Sequence, residues 1–302
     1  MKRTALPIVL LAAQLAAQQQ QQPAQLTAEQ KQQVDAALPA KAPARPKKPR
    51  RMLVLNLAKV GERVVRGHPA IPAGTYAIEQ MGKKTGAFEA VVSNDLDLFR
   101  PGKIDQFDAV CFNNTQGVLW DDPERKAAFE NFVKGGKGVV GFHAAIATFV
   151  QHPVYDQWPW FGRMLGGTEN GGHPWMPTDS YTFKVDDQKS PLNAAFHGKG
   201  FELNDEVMQL QEPTLRERLH VLLSVDMEKS KPSRKVLPVR EQDQDFPLTW
   251  IRAEEKGRVF CSGIGHNPNP FWNPAMLQHF LAGIQYALGD LKTDDAPTVK
   301  HK

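Results

Sequence analysis

Cysteine is almost absent: the 302 residues contain two, Cys111 and Cys261, each inside an apolar run of strand character. That scarcity excludes a disulfide-stapled scaffold. A domain of this length needs no bridge, so both thiols are read as free core residues rather than as a bond or a nucleophile. No two of the nine histidines have the His-x-x-x-His spacing of a zinc-binding helix. No internal repeat is visible. No apolar stretch approaches the about 20 residues needed to cross a bilayer, and mean hydropathy is −0.44. Net charge is also small, +4, and it misleads. Residues 1–51 carry nine Lys/Arg and two acids, leaving 28 basic and 31 acidic residues in the rest. The basic run from Arg45 to Arg51 is interrupted by prolines and lies in a tail, so it reads as a solvated spacer and not a nucleic-acid surface.

What is present begins at the N-terminus. Lys2 and Arg3 precede an apolar run from Ala5 to Ala17 that ends in small residues. These are the parts of a secretory signal peptide, predicting export with residues 1–17 removed and no remaining membrane span. Residues 18–51 are rich in Gln, Ala, Lys and Pro and read as a disordered linker, with room for a short helix around Leu26–Leu38. The tail 291–302 reads the same way. Residues 52–290 form the single folded domain.

Within that domain the pattern alternates. Met52–Leu57, Phe88–Ser93, Phe107–Phe112 and Gly138–Phe142 are apolar runs of strand length. Between them lie helical spacings, Thr75–Met81 ended by Gly82, and a helix opened by Asp122-Pro123 and stopped at Gly135-Gly136. Uninterrupted apolar strands alternating with helices predict an α/β fold of three layers, a doubly wound, mostly parallel sheet covered on both faces. Further strands are expected at Tyr181–Val185, Val207–Leu210, His220–Val225, Pro247–Arg252 and Arg258–Ser262, with a last helix over Pro274–Leu288. Ligands of such sheets bind beyond the carboxyl ends of the strands.

Several polar residues fall there. His143 directly follows Gly138–Phe142, and His266 follows Arg258–Ser262 through a glycine turn, with Asn267 and Trp272 continuing the loop. His68 lies in the loop after the first strand. His173 and Trp175 lie in a glycine-rich loop able to approach a ligand closely, where Trp175 could stack on a sugar face. Glu206, beside Asp205 and ahead of the expected strand Val207–Leu210, supplies a carboxylate for a metal site or for acid/base work. The remaining histidines, His152, His197, His220, His279 and His301, are read as surface or structural, and Trp158 and Trp160 as packing residues.

In order and spacing these blocks resemble the ThuA-like (trehalose-utilisation) family. They are Gly67-His68-Pro69, Gly136 to Ala145, Gly166-Gly167 with Gly172-His173-Pro174, Asn204-Asp205-Glu206, Pro247 to Trp250, and Lys256 to Phe260 with Gly265-His266. The first block departs from the His-Ser-Ser-like setting common in that family. The resemblance implies a fold similar to class I glutamine amidotransferases, also flavodoxin-like, and a link to sugar or keto-sugar utilisation. Amidotransferases of this fold place a cysteine at the turn after a central strand. Here that turn carries His143, so cysteine-dependent amidotransfer is not expected.

Two functions stay open at this stage. One is an enzyme in which His143, Glu206 and His266 are catalytic and His173, Trp175, Asn267 and Trp272 bind substrate. In it His68, His143, His173 and His266 would hold a divalent ion such as zinc for isomerisation, epimerisation, hydrolysis or elimination on a carbohydrate. The other is a non-catalytic carbohydrate-binding module built on Trp175 and Trp272.

Overall fold

The computed structural model describes residues 25–151, 156–170, 172–211, 215–231 and 245–298. The proposed signal segment and His152 and His301 lie outside the described residues. Among these residues a sheet of nine strands runs in the order β4-β1-β5-β6-β11-β10-β9-β7-β8. Its first half comprises β4 (Glu89–Val92), β1 (Arg51–Leu55), β5 (Ala109–Asn113), β6 (Gly138–Phe142) and β11 (Gly257–Ser262), and every pairing in it is parallel. Beyond β11 the sheet continues through β10 (Pro247–Glu254), β9 (His220–Val225), β7 (Ser180–Val185) and β8 (Glu202–Asn204), all antiparallel. A small hairpin, β2 (Ala58–Val60) with β3 (Arg63–Val65), stands after β1.

Both faces of the sheet are covered, which explains the unbroken apolar strands. On one side Met52 and Val54 of β1 meet α2 (Ile71–Thr85) and α5 (Pro274–Ala287). On the other, Leu53 and Leu55 meet α3 (Pro123–Lys134) and α4 (Pro159–Leu165). The period of two along a strand thus divides one apolar run between two cores. It also settles the thiols: Cys111 faces the first core and Cys261 the second, both free and buried, so no bond can join them. Burial also pushes both thiols well above their usual range. Trp158 sits in an aromatic cluster with Trp120, Phe149 and Phe161, as a packing residue should.

The starts of α3 and α5 follow their sequence signals, whereas α2 passes through Gly82, the expected stop, and ends only at Gly86, whose backbone is left-handed. Asp122 accepts hydrogen bonds from the amides of Glu124 and Arg125 at the start of α3, and Asn273 accepts from Ala275 and Met276 at the start of α5. Two stretches differ from expectation. Residues 25–50 are packed rather than a solvated linker: α1 (Ala28–Ala37), opened by a Thr27–Gln30 capping box, lies on α2 and buries Val34 and Ala37. After it, the Ala44 amide donates to Gln285 Oε1, and Arg50 makes a paired contact with the buried Asp290. The C-terminal tail is likewise held as far as Thr298, whose amide donates to the Leu219 carbonyl while its hydroxyl accepts from the Val221 amide. Val34 and Ala37, with Leu26, Leu38 and Ala42 packed beside them, anchor the first segment together with its polar contacts, which composition does not register.

Candidate functional site

Every strand that points the same way as β1 delivers its carboxyl end to one edge, and the site is assembled there. His143 is the first residue after β6, at the head of a 3₁₀ turn over His143–Ala147. Its φ of 43° is left-handed, an unfavourable conformation for a residue with a Cβ. That bend turns the ring out of the strand direction and over the sheet edge. Ser262 ends β11, and the chain then turns through Gly265, at φ +129°, to His266. His68 enters from the loop between β3 and α2. The three imidazoles form a near-equilateral triangle, with ring centroids 5.0, 5.1 and 5.2 Å apart and planes close to perpendicular.

Glu206 closes the arrangement from the antiparallel half. It lies two residues after β8, rather than ahead of a strand: Val207 and Leu210 make only isolated bridges, to Trp175 and Glu169. Its Oε2 is 3.3 Å from His143 Nε2, 3.5 Å from His173 Nδ1 and 3.9 Å from His266 Nε2. Ligand atoms of His68, His143, Glu206 and His266 all lie within 4.8 Å of one another.

The hydrogen bonds decide which ring nitrogens are available. His143 Nδ1 donates to the Gly263 carbonyl at 2.8 Å, which leaves an Nε2 lone pair facing the Glu206 carboxylate. His143 Nε2, His68 Nδ1 and His173 Nδ1 are buried without a hydrogen-bond partner. A lone pair opposite a carboxylate oxygen calls for a positive species between them, a proton or a metal cation. Three imidazoles and one carboxylate are the donor set of zinc and similar divalent ions, so the residues fit such an ion.

Electrostatics point the same way. Burial, with the charges of His143 and His266, pushes His68 down to about 3, which keeps its ring neutral and its lone pair free. Burial lowers His266 as well. Burial alone would raise Glu206, but its contact with His143 and the charges of His143, His173 and His266 hold it below its usual value. It is therefore an anion in a largely buried site. Asp205 is different. Burial pushes it up to about 6 against the pull of His143 and of backbone donors. Its two oxygens accept from the amides of Gly265 (2.7 Å) and Asn267 (2.8 Å), tying the His266 loop to the strand end that carries Glu206.

The other residues singled out from sequence divide. His173 belongs to the site, between Glu206 and Glu169, with Nε2 3.6 Å from Glu169 Oε1 and its side chain 26% exposed. Trp175 does not. It is fully buried, edge-on to Phe246 at 5.4 Å, because its large apolar surface turns into the core while the loop around it stays near the site. Asn267 ties loops together, its side-chain amide donating to Pro177 O and Asn204 Oδ1. Trp272 is half-buried and packed on the core beside α5. Two residues escaped the sequence reading. Glu169 is buried, and its only sequence signal is the i, i+4 spacing to His173. Gln209 is buried with neither amide atom partnered, and its backbone pairs with the His173 loop at Gly172 and Asn170.

Residues 58–287 match the family model described as "ThuA: Trehalose utilisation". The chain belongs to the ThuA family. A ThuA-like protein from Bacteroides uniformis superposes with a TM-score of 0.60 at 18% identity, covering 80% of this chain and 93% of that one. Another from Parabacteroides merdae gives 0.57 at 18% identity, with 82% and 93% covered. Both bear out the fold expected from sequence. No curated protein matches.

Proposed function

We propose that this ThuA-family chain is an enzyme of carbohydrate utilisation that acts on a sugar or keto-sugar by metal-assisted acid–base chemistry. One observation carries the reading. His68, His143, His266 and Glu206 converge from four separate loops, their ligand atoms all within 4.8 Å of one another, and His68 Nδ1 and His143 Nε2 are buried without a partner. A purely structural histidine looks otherwise. His279 is also fully buried, but its two nitrogens meet the Leu192 carbonyl and the Thr249 hydroxyl.

His68, His143, Glu206 and His266 would hold a divalent ion, which when bound polarises a carbonyl or hydroxyl oxygen of the substrate. The Gly263 carbonyl fixes His143 in the tautomer that presents Nε2, and the low basicity of His68 keeps it unprotonated at neutral pH. His173 is placed to move a proton. Its two nitrogens face Glu206 and Glu169, and its partial exposure lets it meet a substrate. Isomerisation, epimerisation, hydrolysis and elimination all use such a set. The binding-module alternative is weakened by the burial of Trp175, which removes one of its two stacking surfaces. The basic and apolar residues of 1–17 support export as part of the same reading.

Purified protein is expected to carry a divalent ion and to turn over at least one member of a broad sugar and keto-sugar panel, with turnover lost to a chelator. His173→Ala should keep the ion and lose roughly 100-fold to 10,000-fold in rate, the usual contribution of a positioned acid or base. Metal-free protein that turns over nothing in the panel overturns the proposal.

A further inference from the structure

Beyond the carboxyl ends of β1 and β5 lies a cavity of about 280 Å³ that Glu169 helps to line. Its polar lining is Lys59, Gln116, Gln151 and Glu169, and its apolar lining includes Ala147 and Val150. We propose that this cavity is the pocket for one pyranose unit of the substrate, a role that rests on the carbohydrate reading above.

Its position in the fold is the first argument. From β1 the chain moves to β4 on one side and then to β5 on the other, so the strand order reverses between β1 and β5. Open α/β sheets bind ligands in the crevice that this reversal opens beyond the carboxyl ends of the strands. Lys59 follows β1, and Gln116 follows β5. The two loops are joined across the crevice by the Lys59 amide donating to the Gln116 carbonyl at 2.9 Å. Ala147 ends the 3₁₀ turn that begins with His143. One wall of the cavity is thus continuous with the turn that carries a candidate metal ligand.

Glu169 is the second argument. It lines the cavity and also stands 3.6 Å from His173, which in turn lies 3.5 Å from Glu206. A ring held in the cavity would therefore lie against Glu169, the carboxylate that faces the proton-moving His173.

Size and chemistry are the third. The volume lies just under the range of about 300–1,000 Å³ seen for small-molecule pockets, which suits one sugar ring and not an oligosaccharide. Lys59 donates; Gln116 and Gln151 both donate and accept; Glu169 accepts. Hydroxyl groups need that mixture. Ala147 and Val150 offer a small apolar surface to the carbon-bound hydrogens of a ring. Lys59 has a carboxylate near it, but Glu62 Oε2, at 3.3 Å, belongs to an almost fully exposed side chain, so the ammonium is not neutralised in a buried pair.

The test measures binding of D-glucose and trehalose, by calorimetry and by ligand-observed NMR, to the full chain and to Val150→Trp, Gln116→Leu and Lys59→Met. Metal content and thermal unfolding are measured on the same samples. Val150→Trp fills the cavity and should abolish sugar binding; each polar replacement should weaken it about tenfold, the effect of one lost hydrogen bond. Metal content should not change in any of them. Should Val150→Trp fail to fold, Gln116→Leu and Lys59→Met carry the test. Folded variants that bind both sugars as the parent does overturn the pocket and leave the metal-centre reading intact. A parent chain that binds neither sugar also overturns it. Metal-free protein whose sugar binding is nonetheless lost on filling the cavity supports the pocket and removes the metal-centre reading instead.

Discussion

The three histidines of the triangle reach the site from the parallel half of the sheet, whereas Glu206 and Asp205 come from the antiparallel half and Glu169 and His173 from the segment between α4 and β7 that links the two. The two halves place their residues by different physics. In the parallel half every strand ends at the same edge, so a residue one to four positions past a strand is delivered there by the backbone itself. His143 and His266 are placed this way, and His68 follows through the β2–β3 hairpin. In the antiparallel half only alternate strand ends reach that edge. The position of Glu206 then depends on cross-loop hydrogen bonds, above all those of Asp205 to the amides of Gly265 and Asn267.

The sharpest way to break this comparison is to remove one candidate ligand from each half. His143→Ala and Glu206→Ala should each lower affinity for zinc or a similar ion by more than the about 100-fold that losing an outer partner typically costs. Metal titration of purified protein gives the answer. If Glu206→Ala binds the ion as tightly as the parent, the parallel half is sufficient and the antiparallel half is not part of the ligand set.

A smaller effect is expected from the joint between the halves. Asp205 makes no contact with the triangle in the hydrogen-bond sense, but it fixes the loop from which His266 projects. An amide in its place keeps one good acceptor and puts a donor against a backbone N–H. Asp205→Asn should therefore lower metal affinity by about 10-fold to 100-fold, the range for partners that orient a ligand. The loss should fall mainly on affinity, with a moderate drop in the unfolding temperature of metal-free protein from the buried backbone amide left without its acceptor. A large drop in that temperature with unchanged affinity would make Asp205 a stability residue and dissolve the joint.

The same division explains how far the sequence could be read. His143 and His266 are visible because a continuous apolar strand followed by a turn is a strong local pattern. Glu206 is visible through its neighbour Asp205, yet the strand before it, Glu202–Asn204, is three residues long and carries two polar side chains, too short and too polar to stand out as a strand in sequence. Glu169 has no strand in front of it, and its role comes only from contact with His173 and the cavity. Trp175 shows the opposite failure: the loop is near the site, but nothing in a sequence tells which way one ring turns. The packed N-terminal segment was hidden because Arg50, Lys47 and Ala44 are held by Asp290 and Gln285, polar contacts that hydropathy counts as solvent-facing.

The smallest effect concerns His279, on α5 behind the parallel half, and it separates buried histidines that hold structure from those that serve the site. Burial, against the hydrogen bond with the Leu192 carbonyl, takes His279 down to about 4, from the usual value near 6.5. The folded chain thus keeps this ring neutral at pH values where the unfolded chain has protonated it. Its contribution is fully present above about pH 6.5 and is lost as pH falls from there to about 4, by at most about 1.4 kcal/mol per unit. His279→Gln cannot take up that proton. Urea unfolding of metal-free protein at pH 7 and pH 5 should therefore show a shallower acid loss in the variant than in the parent, with metal affinity at pH 7 unchanged. At pH 7 the variant should itself be less stable, since Gln cannot span both the Leu192 carbonyl and the Thr249 hydroxyl as the ring does. An equal acid loss in both chains would mean that the ring is protonated in the fold. His279 would then no longer be the neutral, fully partnered counterpart against which the open nitrogens of His68 and His143 stand out.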